Sequence, residues 1–108
     1  MAENPLKIYE SLDPGLLKQP QETQQFALAE GVIPRKYKFL IAMALDASLG
    51  AVDGVSSLAR GAMRVGATKE EIAETLRVVQ YICGASAVYT AARGLRDVFP
   101  AEPIRPVP

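Results

Sequence analysis

The chain has 108 residues, 49% of them hydrophobic but only 6% aromatic, with no tryptophan, and 12 Lys and Arg balance 12 Asp and Glu. That length supports one domain with a modest core, and the interspersed, balanced charge argues against a basic face for nucleic acid. The absence of histidine excludes an imidazole base, a Ser–His or Cys–His nucleophile pair and a His-ligated metal within one chain.

The lone Cys83 cannot form an intrachain disulfide, which fits a reducing cytoplasm, the expected location. No apolar run approaches the roughly 20 residues of a membrane span, and MAENPLKIYE lacks a signal-peptide profile. Alanine-rich stretches without strand alternation predict an all-α protein. With so little aromatic bulk, a small helical domain is expected to complete its core by self-association.

In chain order, Asn4-Pro5 opens a short helix with a cap and then a proline at the first helical position. Asp13-Pro14 repeats the signal, and Pro20 is expected to interrupt the turn it starts. A polar, peripheral helix is expected over 21–30, ended by Gly31. The segment 34–49 begins with Arg35, Lys36 and Lys38 and then turns apolar on nearly every side, which predicts a buried helix. Its basic start runs against the helix dipole; solvation is the main expectation there, contact with another subunit or a ligand the alternative.

Val55, Leu58, Ala59, Ala62 and Met63 form the apolar face of the next helix. Gly66 is expected to end it in the left-handed conformation. Thr68-Lys69-Glu70-Glu71 is a capping box leading into a helix that buries Ile72, Leu76, Val79 and Cys83. Gly84 predicts a break, followed by a helix to about Val98 with Val88, Ala91, Ala92 and Leu95 inward. Pro100 stops it and AEPIRPVP is a proline-punctuated tail. The whole reads as a single domain over 1–108, with N-terminal helices in 1–32, core helices in 33–99 and the tail in 100–108.

Candidate site residues are few. Asp46, in the apolar helix, is a buried carboxylate suited to acid–base work, the partner of an arginine such as Arg60 or Arg93, or a residue on an exposed edge of the helix. Asp53 is a cap or dipole partner, or the surviving acid of a site. Ser56 and Ser57 could hydrogen-bond a ligand, Ser57 being the candidate binder with Tyr81, or be solvated. Tyr81 and Tyr89 line a pocket or fill core and interface. Cys83 is either an inert buried thiol or one open to a pocket between subunits.

IPRKYKFLIAMAL at 33–45, ARGAMRVGATKEEIAETL at 59–76 and the Gly84 break before an Ala-rich helix through Leu95 resemble the carboxymuconolactone decarboxylase family. Its other branch is the alkyl hydroperoxidase D-like proteins. The resemblance spans about Ile33 to Val98. It implies a compact all-α bundle of about five to six helices whose small subunits assemble as homotrimers or homohexamers. In the hydroperoxidase branch a Cys-x-x-Cys pair, a histidine and a glutamate carry the chemistry. Counted back from Gly66-Ala67-Thr68, they would fall at Ala51 and Gly54, Leu58, and Phe39. None of these can transfer a proton or an electron pair, so two-cysteine peroxidase chemistry is not expected. The decarboxylase branch would place its histidine at Leu58, and of its acidic loop residues only Asp53 remains.

The expected function is therefore binding of a small organic acid or lactone-like metabolite in an inter-helix or inter-subunit pocket. A decarboxylase or proton-transfer step would use Asp46 or Asp53, with an arginine holding the acid. The alternatives are a non-catalytic oligomeric binding or scaffold protein, and a peroxide-reactive single thiol at Cys83. No cofactor, metal, nucleic-acid or membrane partner is expected.

Overall fold

The computed structural model describes residues 4–100, so the proline-punctuated tail beyond Pro100 lies outside the described residues. A single 3-10 turn, Pro5–Ile8, runs into α1 (Tyr9–Leu12). There follow α2 (Pro14–Leu28), α3 (Arg35–Ser48), α4 (Val52–Arg64), α5 (Lys69–Cys83) and α6 (Ala85–Leu95), with no strand among the described residues.

The predicted stops and starts account for most of these boundaries. Asn4 and Asp13 accept hydrogen bonds from Leu6 N–H and Gly15 N–H, each followed by a proline at the first helical position. Gly66 has φ +106°, between α4 and the capping box. There Thr68 Oγ1 accepts from Glu71 N–H at 3.0 Å, and Glu71 Oε1 accepts from Thr68 N–H at 2.9 Å. Gly84, at φ +82°, separates α5 from α6 by one residue.

Pro20, expected to interrupt, is accommodated inside a continuous α2. No side chain of α2 is buried. The Leu16 carbonyl that loses its partner at Pro20 can therefore turn to water, which removes much of the cost of an interior proline.

The core is small-residue packing centred on α4, which is wedged between α3 and α6. Met43, Val55, Ala59, Ala62, Ile72 and Ala91 are almost wholly buried. Three glycines set the spacing. A methyl group on Gly61 would strike the Phe39 ring, and one on Gly54 would strike the Asp46 carboxylate. One on Gly94 would come within 2.7 Å of the Val52 carbonyl oxygen and 3.0 Å of Val55 Cβ. The α3 contacts at 39–61 and 46–54 define an antiparallel register for α3 and α4.

The basic start of α3 is not simply solvated. Arg35 Nε donates to the Leu28 carbonyl at 3.1 Å and Lys38 Nζ to the Ala29 carbonyl at 2.8 Å. Cations thus sit on the C-terminal carbonyls of α2, where a helix dipole favours them. Lys36 Nζ lies 3.0 Å from Glu71 Oε2 and ties α3 to the capping box of α5. Glu71 is held below the usual carboxylate range by the Thr68 backbone N–H and then by Lys36. Lys36 is raised above the usual lysine value by its bond to Glu71.

Three expectations of burial fail. In α3, Ile41 is 50% and Leu45 60% exposed, so one apolar side of a helix expected to be buried is open. Cys83 is exposed at the end of α5. On α6 the inward stripe is Ala87, Thr90, Ala91 and Gly94 rather than one including Ala92, and the helix ends at Leu95. On α6 the close approach to α4 at Gly94 fixes which face turns inward; for Ile41, Leu45 and Cys83, helical spacing marks an apolar face without saying what covers it.

Two substitutions test this packing by urea denaturation. Thr68→Ala should lower stability by about 1 kcal/mol, through the lost cap. Gly94→Ala should cost about 1–3 kcal/mol, because the new methyl meets the backbone of α4. A Gly94→Ala variant as stable as the parent would mean that α4 and α6 are not held this closely.

Candidate functional site

Asp46 and Asp53 occupy neighbouring parts of the fold in different settings. Asp53 is exposed in the first turn of α4, where it complements the helix dipole, while the cap position itself is Ala51, with no side-chain bond. Asp46, two turns along α3 from Phe39, is half-buried with its carboxylate against Gly54. It has no ion pair among the described residues, so the pairing with Arg60 or Arg93 is not formed. Burial raises its carboxyl above the usual aspartate value.

Arg60 is used elsewhere. Its guanidinium donates to Ser56 Oγ at 2.9 Å and to the Asp97 carbonyl at 3.0 Å, joining α4 to the end of α6. Ser56 is thereby a buried structural hydroxyl, whereas Ser57, the candidate binder, is exposed. Tyr81 and Tyr89 are largely exposed as well. The sequence candidates Asp46, Asp53, Ser57, Tyr81 and Cys83 thus do not converge on one cavity.

Two grooves flank α3 on opposite sides. The first, of about 410 Å³, lies between α3 and α5; Tyr37, Ile41, Leu45, Val78 and Ile82 dominate its walls, and Cys83 reaches its end. It is almost entirely apolar, and neither Asp46 nor Asp53 lines it. The second, of about 500 Å³, lies between α2 and α3 and is formed by Gln24, Gln25, Leu28, Ala29, Glu30, Arg35 and Phe39.

The second groove is the more polar of the two, with a carboxylate, Glu30, and a guanidinium, Arg35, both on its walls. Two amides line it with them, and the Arg35 guanidinium carbon stands 5.7 Å from the centre of the buried Phe39 ring. Arg35 Nε is committed to the Leu28 carbonyl. Its two terminal nitrogens make no hydrogen bond or ion pair among the described residues. Phe39 is also one of the four positions at which the sequence resemblance would place reactive groups. The α2 glutamines were not singled out from sequence, and Arg35 was weighed only together with Lys36 and Lys38, as a basic residue facing a ligand, another subunit or solvent. Only Arg35 had a signal there, a basic residue opening an apolar helix, and that signal could equally mean solvation.

Of the four family positions, Gly54 has a steric explanation here, and the others are occupied by side chains with structural places. Gly54 cannot carry a side chain while Asp46 fills that space, and Phe39 occupies the space over Gly61. Leu58 packs on the core and Ala51 precedes α4. Among the described residues no cluster of three or more His, Cys, Asp or Glu could hold a metal. No described helix is long and apolar enough to cross a membrane.

Residues 14–97 match the carboxymuconolactone decarboxylase family. The fold is similar to the apo crystal structure of a carboxymuconolactone decarboxylase family protein from Legionella pneumophila. The two superpose with a TM-score of 0.78 at 28% sequence identity, over 84% of this chain and 81% of that one. No curated protein matches the chain significantly.

The Asp46 geometry predicts a pH signature. A carboxyl group whose pKa is raised in the folded state binds its proton more tightly there than in the unfolded chain. Stability from this group is therefore greatest when it is protonated and falls as pH rises through the window between the unfolded and folded values. Asp46→Asn should raise the melting temperature at pH 7, and its advantage should shrink on acidification below the ordinary aspartate range. A variant less stable than the parent at pH 7 would instead assign the carboxylate a stabilising contact with the first turn of α4.

Proposed function

The chain belongs to the carboxymuconolactone decarboxylase family, and from that premise we propose that it binds a small carboxylate-bearing metabolite in the groove between α2 and α3. The observation that carries this reading is Arg35, whose terminal guanidinium nitrogens are uncommitted beside the Phe39 ring in a groove of about 500 Å³. Such a volume is in the range of small-molecule sites. A guanidinium offers a carboxylate two parallel donors, and Gln24 and Gln25 supply further donors and acceptors.

Binding is the part of the reading with the most support. A decarboxylation-type proton transfer would need an acid or base at the ligand, and the carboxyl group lining this groove is that of Glu30. Asp46 and Asp53 are not among its walls, so a role for them would be indirect. Two-cysteine peroxidase chemistry has no sulfur at Ala51 or Gly54 to carry it. The proposal includes assembly as a homotrimer or homohexamer, which the family resemblance implies, and a cytoplasmic location, which the lone Cys83 fits.

A second reading, a non-catalytic oligomeric scaffold, is favoured by the open apolar side of α3. The two separate on ligand binding. Small aromatic and aliphatic carboxylates should raise the melting temperature of the parent protein. Arg35→Gln should weaken their apparent affinity roughly 10- to 100-fold, the value of a charge-assisted pair. Lys38→Gln, which removes a similar cap from α2 outside the groove, should leave affinity unchanged. No shift with any carboxylate or lactone, or equal loss in both variants, would contradict the binding reading.

A further inference from the structure

The groove between α2 and α3 carries two opposite charges that do not pair with each other. Glu30, just past the end of α2, and Arg35, in the first turn of α3, both stand on its walls. No ion pair joins them, and the Glu30 carboxylate accepts no hydrogen bond among the described residues. Arg35 is held where it stands by two other contacts. Its Nε donates to the Leu28 carbonyl at 3.1 Å, and its guanidinium carbon lies 5.7 Å from the Phe39 ring centre.

The cations nearest Glu30 are spent on backbone. Arg35 Nε takes the Leu28 carbonyl, and Lys38 Nζ takes the Ala29 carbonyl at 2.8 Å from outside the groove. Neither forms an ion pair with Glu30, whose negative charge is left open to the groove. The opposite wall is positive for two reasons. Arg35 presents its terminal nitrogens there, and α3 starts at that residue with no acidic side chain in its first turn and no side-chain bond at its cap, Pro34. The positive end of the α3 dipole therefore adds to the guanidinium.

These two walls ask for different things of a ligand. A molecule with a carboxylate alone is attracted by Arg35 and opposed by Glu30, and one with an ammonium alone meets the reverse. A molecule with both ends turns the opposing wall into a second attraction, which also discriminates against the singly charged competitors. Leu28 and Ala29 give the groove its apolar wall, and the amides of Gln24 and Gln25 stand beside them with no hydrogen bond among the described residues. A short apolar spacer between two charged ends suits that lining.

We propose that the ligand of this groove is a small amino acid whose carboxylate pairs with Arg35 and whose ammonium pairs with Glu30. Glu30 is then the residue that sets specificity, by rewarding a cation at the ligand's other end. The inference rests on the reading that the groove binds carboxylates, and adds the second charge. Simple monocarboxylates still bind through Arg35, but more weakly than an amino acid of matching length.

The test measures binding to the full chain by isothermal titration calorimetry at pH 7. The probes are glycine, β-alanine, γ-aminobutyrate and δ-aminovalerate, each against the alkanoate that lacks its ammonium. The best-fitting amino acid should bind roughly 3- to 10-fold tighter than its alkanoate, as expected of a charge pair open to solvent on one side. Glu30 is exposed, so the fold does not depend on its charge. Glu30→Gln should abolish the preference and strengthen alkanoate binding roughly 2- to 5-fold. Glu22→Gln, an acidic position of α2 outside the groove, should change neither. Amino acids that bind no tighter than alkanoates, or a preference that survives Glu30→Gln, would overturn the inference while leaving carboxylate binding intact. So would γ-hydroxybutyrate equalling γ-aminobutyrate, since a hydroxyl donor would then suffice. Binding of neither series would overturn the carboxylate reading as well.

Discussion

The close approach of α4 to its two neighbours is the constraint on which the rest of the structure depends. Gly61 under Phe39, Gly54 under Asp46 and Gly94 against Val52 let three helices meet with almost no aromatic filling. A core made of Ala, Val and small Gly contacts gains per-residue burial only if backbones lie near one another, since each side chain offers little apolar area. That requirement decides which faces of α3 and α6 are spent on α4. It leaves the Tyr37–Ile41–Leu45 side of α3 without a partner in the same chain. The unfilled sides of α3 are the two grooves, one walled by α2 and the other by α5.

The same constraint explains why the family's reactive positions are chemically silent. Space that a side chain at Gly54 would need is taken by the Asp46 carboxylate, and Phe39 lies over Gly61 where two helices touch. Restoring a cysteine at Gly54 would therefore require Asp46 to move. Polar groups gather instead at the junction of α2 and α3, where Arg35 faces two ways. Its Nε holds the end of α2, and its terminal nitrogens face a groove with two glutamines and Glu30.

Local signals in the sequence were good guides wherever a boundary depends on a few adjacent residues. Asn4-Pro5, Asp13-Pro14, Gly66, the Thr68–Glu71 box and Gly84 each name their own structure, because capping and positive φ are decided within one turn. The family and its all-helical fold were legible for the same reason, through GATKEEIAETL and the Gly84 break. Pro20 misled because its cost depends on whether the freed carbonyl reaches water. Cys83 and Ile41 misled because helical periodicity marks an apolar face without saying whether this chain or another covers it. The α2–α3 groove was not legible at all. Its walls are brought together by two capping bonds across a loop, and nothing in the spacing of Gln24, Gln25 and Arg35 announces them.

The proposed recognition site lies on the α2 side of α3, away from the α3–α4 contact where the family resemblance would put it. The most direct test is a ¹⁵N NMR titration with a simple aromatic carboxylate such as benzoate. Chemical-shift changes should centre on the Arg35 side-chain Nε, the Gln24 and Gln25 amides and the backbone around Phe39. Changes centred on Asp46, Asp53 and the first turn of α4, or none at millimolar ligand, would contradict it.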